Sequence, residues 1–307
     1  MTNRLSFRAD GTFKIVQLTD LHIDRDTDHP RDQKTYEAIR HVIGYEKPDL
    51  LAVTGDLIWS DRVDPEIPDA SYRRIVDYIA SFQIPFAIVY GNHDSEAYIT
   101  REGLMRINHE YEHSLAISGP DEIHGVGNYT LEIKGNQTDT NKHILYFLDS
   151  GDYSPENLGH YEWIHPDQVN WFREETKKNP ELPGIALFHI PLPEFKEAIE
   201  KGQMTGNKFE PICSPVVNSG MFTAMLEAEN IMGAFVGHDH DNDFIAELHG
   251  IALSYGRITG YNVYGRFERG ARVIQLFEDE KKFATWIRQT DGEIVGKYTH
   301  NHESVMK

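Results

Sequence analysis

Five short apolar runs in this chain each stop at side chains of metal-ligating type, and that repetition constrains the fold more than any other feature. Phe86-Ala87-Ile88-Val89-Tyr90 runs into Gly91-Asn92-His93-Asp94, placing an amide, an imidazole and a carboxylate side by side. Ile15-Val16-Gln17-Leu18 leads to Asp20 and His22, Leu50-Leu51-Ala52-Val53 to Gly55-Asp56, and Ala234-Phe235-Val236 to Gly237-His238-Asp239-His240. Ile185-Ala186-Leu187-Phe188 ends in the single His189. Runs of this length bounded by glycine read as buried strands. In open α/β sheets the carboxyl ends of the strands are where ligands bind. Five such endings make a metal centre.

Between the runs the spacing turns helical. Tyr36, Ile39, Val42 and Ile43 share one face before Pro48, and Tyr72, Ile75, Val76 and Ile79 share another before Pro85. The opening third therefore reads β-α-β-α-β, which implies a parallel sheet with right-handed crossovers. Asp10-Gly11, between residues 5–8 and 12–19, signals a hairpin. Residues 98–111 read as helix, 118–128 as a Gly-rich loop, and 129–133 and 143–149 as strands. Pro166 starts a helix to about residue 178, and 217–229 reads as another. Short strands follow at 244–248, 251–255, 271–277 and 283–288. The segment 191–215 is too long for a bare connection and is expected to be a flap over the substrate. No repeat or linker divides the chain, so residues 1–307 are expected to form one domain.

Lys and Arg number 30 against 49 Asp and Glu, a net charge of −19. Such a field repels nucleic acid and anionic membrane, but two divalent cations would supply a local positive site for small phosphates. Cys213 is the only cysteine, so no intrachain disulfide forms. The first residues lack a signal-peptide pattern and no stretch reaches 18 consecutive apolar residues. A cytoplasmic location without membrane attachment is the expectation.

Asp20, His22, Asp56, Asn92, His189, His238 and His240 are seven candidate ligands, too many for one tetrahedral zinc and suited to two ions sharing a bridge. Asp56 has two oxygens and is the natural bridge. Nitrogen and oxygen donors without thiolate point to manganese, iron or zinc. The other eleven of the sixteen histidines, His29, His41, His109 and His165 among them, read as surface or satisfied core. Asp149 and Asp152 stay outside the site as ambiguous strand-end acids, and Tyr255, Tyr261 and Tyr264 as pocket lining or core.

The ordered series Asp20-x-His22, Gly55-Asp56, Gly91-Asn92-His93-Asp94, His189, Gly237-His238-x-His240 resembles the calcineurin-like metallophosphoesterases. The stretches 147–154, 188–195 and 237–244, with Tyr264-Gly265 and Arg269-Gly270-Ala271-Arg272-Val273, are similar to the purple-acid-phosphatase-29-like group. The resemblance implies a four-layer α/β/β/α sandwich with two metals where the carboxyl edges of the sheets meet. It places Asp20, His22 and His240 on the first metal, Asn92, His189 and His238 on the second, and Asp56 between them. It implies in-line attack on phosphorus by a metal-bound hydroxide, with His93 facing the leaving group and Asp94 orienting its imidazole. The purple enzymes owe their colour to a tyrosinate three residues after the bridging aspartate. Trp59 stands there instead.

The expected activity is hydrolysis of a small phosphomonoester, with phosphodiester hydrolysis, cyclic nucleotides included, as the alternative. A nuclease is disfavoured by the acidic charge. A scaffold that keeps this fold without activity is expected to lose ligands or the proton donor, and here every position is filled.

Overall fold

The computed structural model describes residues 4–26, 28–155 and 157–303. Strands β1 (Thr12–Leu18), β2 (Leu50–Thr54) and β3 (Phe86–Val89) alternate with helices α1 (Pro30–Glu46) and α2 (Ala70–Ala80), as the periodicity predicts. They pair in parallel in the order β1-β2-β3. Then come α3 (Arg101–Asn108), β4 (Tyr129–Lys134), β5 (Asn141–Phe147), α4 (Pro166–Lys178), β6 (Gly184–Leu187), α5 (Glu194–Lys201) and β7 (Met204–Thr205). The remainder is α6 (Met221–Ala228), β8 (Ile231–Val236), β9 (Ile245–Leu248), β10 (Ile251–Tyr255), β11 (Gly270–Phe277), β12 (Lys282–Gln289) and β13 (Ile294–Asn301).

Two mixed sheets result, ordered β13-β12-β11-β1-β2-β3 and β4-β5-β6-β8-β10-β9-β7. Alternation along the second sheet shows how the layers stack. Leu145, Phe147, Ile185, Leu187 and Phe235 face the first sheet, in one core with Ile15, Val53 and Ile88. Tyr146, Ala186, Ala234 and Val236 face the other way, onto Val169 and Phe172 of α4, Phe195 of α5 and Met225 of α6. Ile39 and Val42 of α1 and Ile75 and Val76 of α2 join the first core from its far side. Burying strands on both faces is what runs without polar alternation demand. The architecture is a four-layer α/β/β/α sandwich.

Three expectations need correction. The Asp10-Gly11 turn forms, with Arg8 N–H donating to the Thr12 carbonyl at 2.9 Å. The residues before it do not return along β1. Phe7 N–H donates to Lys134 O and Lys134 N–H to Leu5 O, both 2.9 Å, stitching the N-terminal stretch onto β4 of the other sheet. Leu5 and Phe7 are buried between the sheets, which a solvent-facing hairpin would forfeit. The helix expected over 98–111 begins only after Thr100, whose hydroxyl accepts from Gly103 N–H at 3.2 Å as an N-cap. The helix expected over 217–229 starts at Met221, after Gly220 with φ +84°.

Segment 191–215 is not a bare flap. It holds α5 and β7, and its last part is laced to the loop after β8. Phe209 and Glu210 N–H donate to Asn242 Oδ1 at 3.1 and 3.2 Å, and Cys213 N–H to Asp239 Oδ2 at 3.1 Å. Among the described residues no helix is long and apolar enough to cross a membrane.

Candidate metal centre

The carboxyl ends of β1, β2, β3, β6 and β8 converge, and each run's terminal polar residues meet there. After β1 the chain runs beside the turn that follows β2. Asp20 N–H donates to Gly55 O at 3.1 Å, and Leu21 and His22 N–H to Asp56 O at 2.8 and 3.0 Å. Gly55 has φ +89°, and a Cβ there would stand 2.5 Å from Gly91 N and 2.6 Å from His189 Nδ1. A Cβ on Gly91 would strike Asp56. These glycines let three strand ends crowd onto one carboxylate. Asp20, His22, Asp56 and His238 hold φ of +55°, +46°, +53° and +80°. Each left-handed residue costs about 1–3 kcal/mol, a strain that collects at functional sites.

Six of the seven candidate ligands cluster here by their donor atoms, and none of the seven is more than 7 % exposed. Donor atoms of Asp20, His22, Asp56 and His240 lie within 4.8 Å of one another, as do those of Asp56, His189 and His238. Asp56 belongs to both groups. Its Oδ2 lies 3.4 Å from His22 Nε2 and 3.2 Å from His189 Nε2, while Oδ1 accepts from His93 N–H at 2.9 Å. Asp20 Oδ1 lies 3.5 Å from His240 Nε2. Asn92, the residue before His93, donates through Nδ2 to Tyr153 O–H at 2.9 Å, and its Oδ1 is buried without a hydrogen-bond partner among the described residues.

His189 Nδ1 lies 2.7 Å from the Thr54 carbonyl, which only accepts, so that nitrogen carries the proton. Its Nε2 is left facing His238 Nδ1 at 3.3 Å. Burial opposes charge on His189, yet the Asp56 carboxylate pushes it up to about 9. Burial and then the His189 charge push His238 down to about 3. Against burial, the His189, His22 and His93 rings hold Asp56 well below the usual carboxylate range.

Both ring nitrogens of His22, Asn92 Oδ1, His238 Nε2 and His240 Nδ1 are buried without a hydrogen-bond partner among the described residues. A buried polar atom left unpaired costs about 1–3 kcal/mol. A divalent cation beside the Asp20 and Asp56 carboxylates would satisfy the acceptor atoms among these. The residues present therefore fit two cations that share Asp56.

His93 sits beside these groups and at the rim. Its Nδ1 lies 2.8 Å from Glu96 Oε1 and 3.3 Å from Tyr153 O–H. Tyr153 O–H in turn donates to the same Glu96 oxygen at 2.7 Å. Burial works against charge on His93, but the Glu96 hydrogen bond raises it above the ordinary histidine value. Asp94 does not orient this ring, contrary to expectation. Its carboxylate accepts from the N–H groups of Asp56, Leu57, Ile58 and Gly91 at 2.9, 2.8, 3.2 and 2.8 Å, fixing the two turns that carry Asp56 and Asn92. Burial, then the Asp56 charge, push Asp94 up to about 6.

The Trp59 ring lies 4.0 Å from His93 and 4.4 Å from His22, centroid to centroid, with the Arg62 guanidinium 4.0 Å from its centroid. Tyr161 lies 4.3 Å from His238 and Tyr264 4.4 Å from His240. Tyr255 is core, and Tyr261 packs under Arg269 rather than on the ligands. Asp149 is ion-paired with Arg101, which also donates to the Gly91 and Gly151 carbonyls at 3.0 and 2.8 Å. Asp149 thus braces the Asn92 turn from behind. Glu96, Tyr153 and Tyr161 carried no strand-end pattern. For Glu96 the available signal was its place three residues after His93, one turn away.

The calcineurin-like phosphoesterase family model matches residues 13–242. The chain belongs to that family. It is 36% identical to a protein of Arabidopsis thaliana named probable inactive purple acid phosphatase 29, over 92% of this chain and 81% of that one. It is 34% identical to phosphatase DCR2 of Saccharomyces cerevisiae, over 93% of this chain and 55% of that protein. A dimetal phosphatase from Danio rerio shares the fold with a TM-score of 0.65 at 13% identity, covering 95% of this chain and 99% of that one. This family member has its strand-end residues gathered around one shared carboxylate.

Proposed function

We propose that this protein is a phosphoester hydrolase whose reaction depends on two divalent cations, with a small phosphomonoester as substrate. The observation that carries the reading is the pair of donor groups sharing Asp56, with His93 at their rim. Asp20, His22, Asp56 and His240 would hold one cation, and Asp56, Asn92, His189 and His238 the other. Manganese, iron or zinc suits these donors. Bound there, the cations would act as Lewis acids on the phosphoryl oxygens and make water a stronger nucleophile.

The rest is work for the side chains. Thr54 O fixes the His189 tautomer, and Tyr153 takes the Asn92 amide N–H, which leaves Oδ1 available to a cation. Glu96 accepts from His93 Nδ1 and favours the charged ring, which can then give a proton or hydrogen bond to the leaving oxygen. Trp59 excludes water from one side of His93 and His22. Diesters, cyclic nucleotides among them, are a second substrate class, favoured by the aromatic faces of Tyr161 and Tyr264, which suit a base. A panel of monoesters and diesters, assayed with cation-loaded protein, tests the reading. Turnover of monoesters above diesters is expected. Diester turnover alone would move the assignment to the second class, and none at all would make the fold a scaffold.

A further inference from the structure

A third cluster of donor atoms lies away from Asp56. His124 Nε2 and His165 Nε2 lie 2.9 and 3.0 Å from one and the same oxygen, Glu162 Oε1. The two imidazoles stack with centroids 3.7 Å apart at 17°, and Trp163 stacks on His165 at 5.0 Å and 15°. The backbones on either side of the stack are tied. His124 N–H donates to Asp167 Oδ2 at 2.9 Å, and its carbonyl accepts from Asn128 Nδ2 at 2.9 Å. His165 N–H donates to Gln168 Oε1 at 2.6 Å, and its carbonyl accepts from Val169 N–H at 3.0 Å.

Glu162 Oε1 accepts from His165 Nε2–H, while His124 Nε2 stands at the same oxygen without making that hydrogen bond. Protonating both rings would stack like charges. A cation held by the three donor atoms, which lie within 4.8 Å of one another, would draw His124 into the cluster and avoid that repulsion. Two imidazole nitrogens and one carboxylate oxygen, with the remaining positions open to water, suit zinc and similar borderline ions. Access is open: the His124 side chain is 43 % exposed and lines a cleft of about 690 Å³ between α3 and the 118–126 loop.

Glu162 also joins this cluster to the candidate centre. Its Oε2 accepts from Asp152 N–H at 3.2 Å, and its own N–H donates to Asp152 O at 3.1 Å. Asp152 and Glu162 are the stem of an excursion in which Tyr153 bridges Tyr161. Tyr153 reaches Asn92 and Glu96 from it, and Tyr161 packs on His238.

We propose that His124, Glu162 and His165 bind one divalent transition-metal ion that clamps the stem carrying Tyr153 and Tyr161 to the metal centre. The clamp's effect on that centre rests on the function proposed above, but the site itself does not. The test is zinc binding to chelator-stripped protein by equilibrium dialysis, comparing wild type with His124→Ala and Glu162→Gln. Each variant should bind one equivalent fewer than wild type, whatever the occupancy around Asp56, with unchanged circular dichroism. Zinc should slow proteolysis within 153–161 in wild type and not in the variants. Equal zinc content in all three proteins would overturn the site. Equal protection by zinc in all three would overturn the clamp.

Discussion

Glu96 Oε1 lies 2.8 Å from His93 Nδ1, whereas the carboxylate of Asp94, beside the histidine in sequence, is taken by four backbone N–H groups. Glu96, rather than Asp94, is therefore the carboxylate that meets the His93 ring and favours its charged form. His93→Gln is expected to lower turnover by about 10²–10⁴-fold, the usual size of a general-acid contribution, with cation content intact. The loss should shrink for nitrophenyl esters, whose leaving group needs little protonation. Glu96 raises His93, and under the proposed function the protonated ring is the acid, so activity is expected to fall as pH rises through the His93 pKa. In Glu96→Gln that alkaline limb should move to lower pH. A limb that stays in place would mean another group holds His93.

Cation content should separate the shared ligand from the unshared ones. Asp56 lies in both donor groups and His22 in one. Asp56→Asn is expected to lose two equivalents relative to wild type by elemental analysis, and His22→Ala one. Equal losses would contradict a bridging Asp56.

Acid stability should depend on His143, far from the centre on β5. Burial pushes this ring down to about 4, against the Phe277 carbonyl that its Nε2 reaches at 3.0 Å. The unfolded chain, near 6.5, binds the proton more readily, so stability falls as pH drops from about 6.5 toward 4. The span corresponds to about 3 kcal/mol. His143→Gln should flatten the pH dependence of unfolding by chemical denaturant across that window. An unchanged slope would contradict the assignment.

Colour tests the donor set. Trp59 stands three residues after Asp56, its ring against His93 and His22 and its indole nitrogen buried without a partner among the described residues. Indole N–H donates and cannot ligate. The iron-loaded protein is expected to be colourless or weakly coloured. An intense visible band, retained in Trp59→Phe and lost on replacing a nearby tyrosine such as Tyr153, would contradict this.

Much of this was written in short-range pattern. Apolar runs named the central strands, and the residues at their ends named the ligands, because a strand buried on both faces leaves its polar residues only at its tips. The periodicity of Tyr72, Ile75, Val76 and Ile79 located α2 for the same reason. What escaped was decided across the fold. Leu5 and Phe7 pair with β4 because burial between two sheets outweighs pairing back along β1, although the turn itself forms. The edge strand β13 alternates in burial from Gly296 to Asn301, but its inward residues, Gly296, Tyr298 and His300, are not an apolar series that a sequence pattern would show. Tyr153 reaches Asn92 and Glu96 from 61 and 57 residues away, which no local spacing encodes. Glu162 would have remained an ordinary acid without the two histidines that the fold brings to it.

The most direct measurement is phosphate release from a monoester by chelator-stripped protein as divalent cation is restored, with Asp56→Asn assayed beside it. Wild type should regain hydrolysis as the two positions on Asp56 fill, and Asp56→Asn should stay inactive at every cation concentration. A wild-type protein that holds both ions and hydrolyses neither monoesters nor diesters would contradict the account, as would equal turnover by the variant.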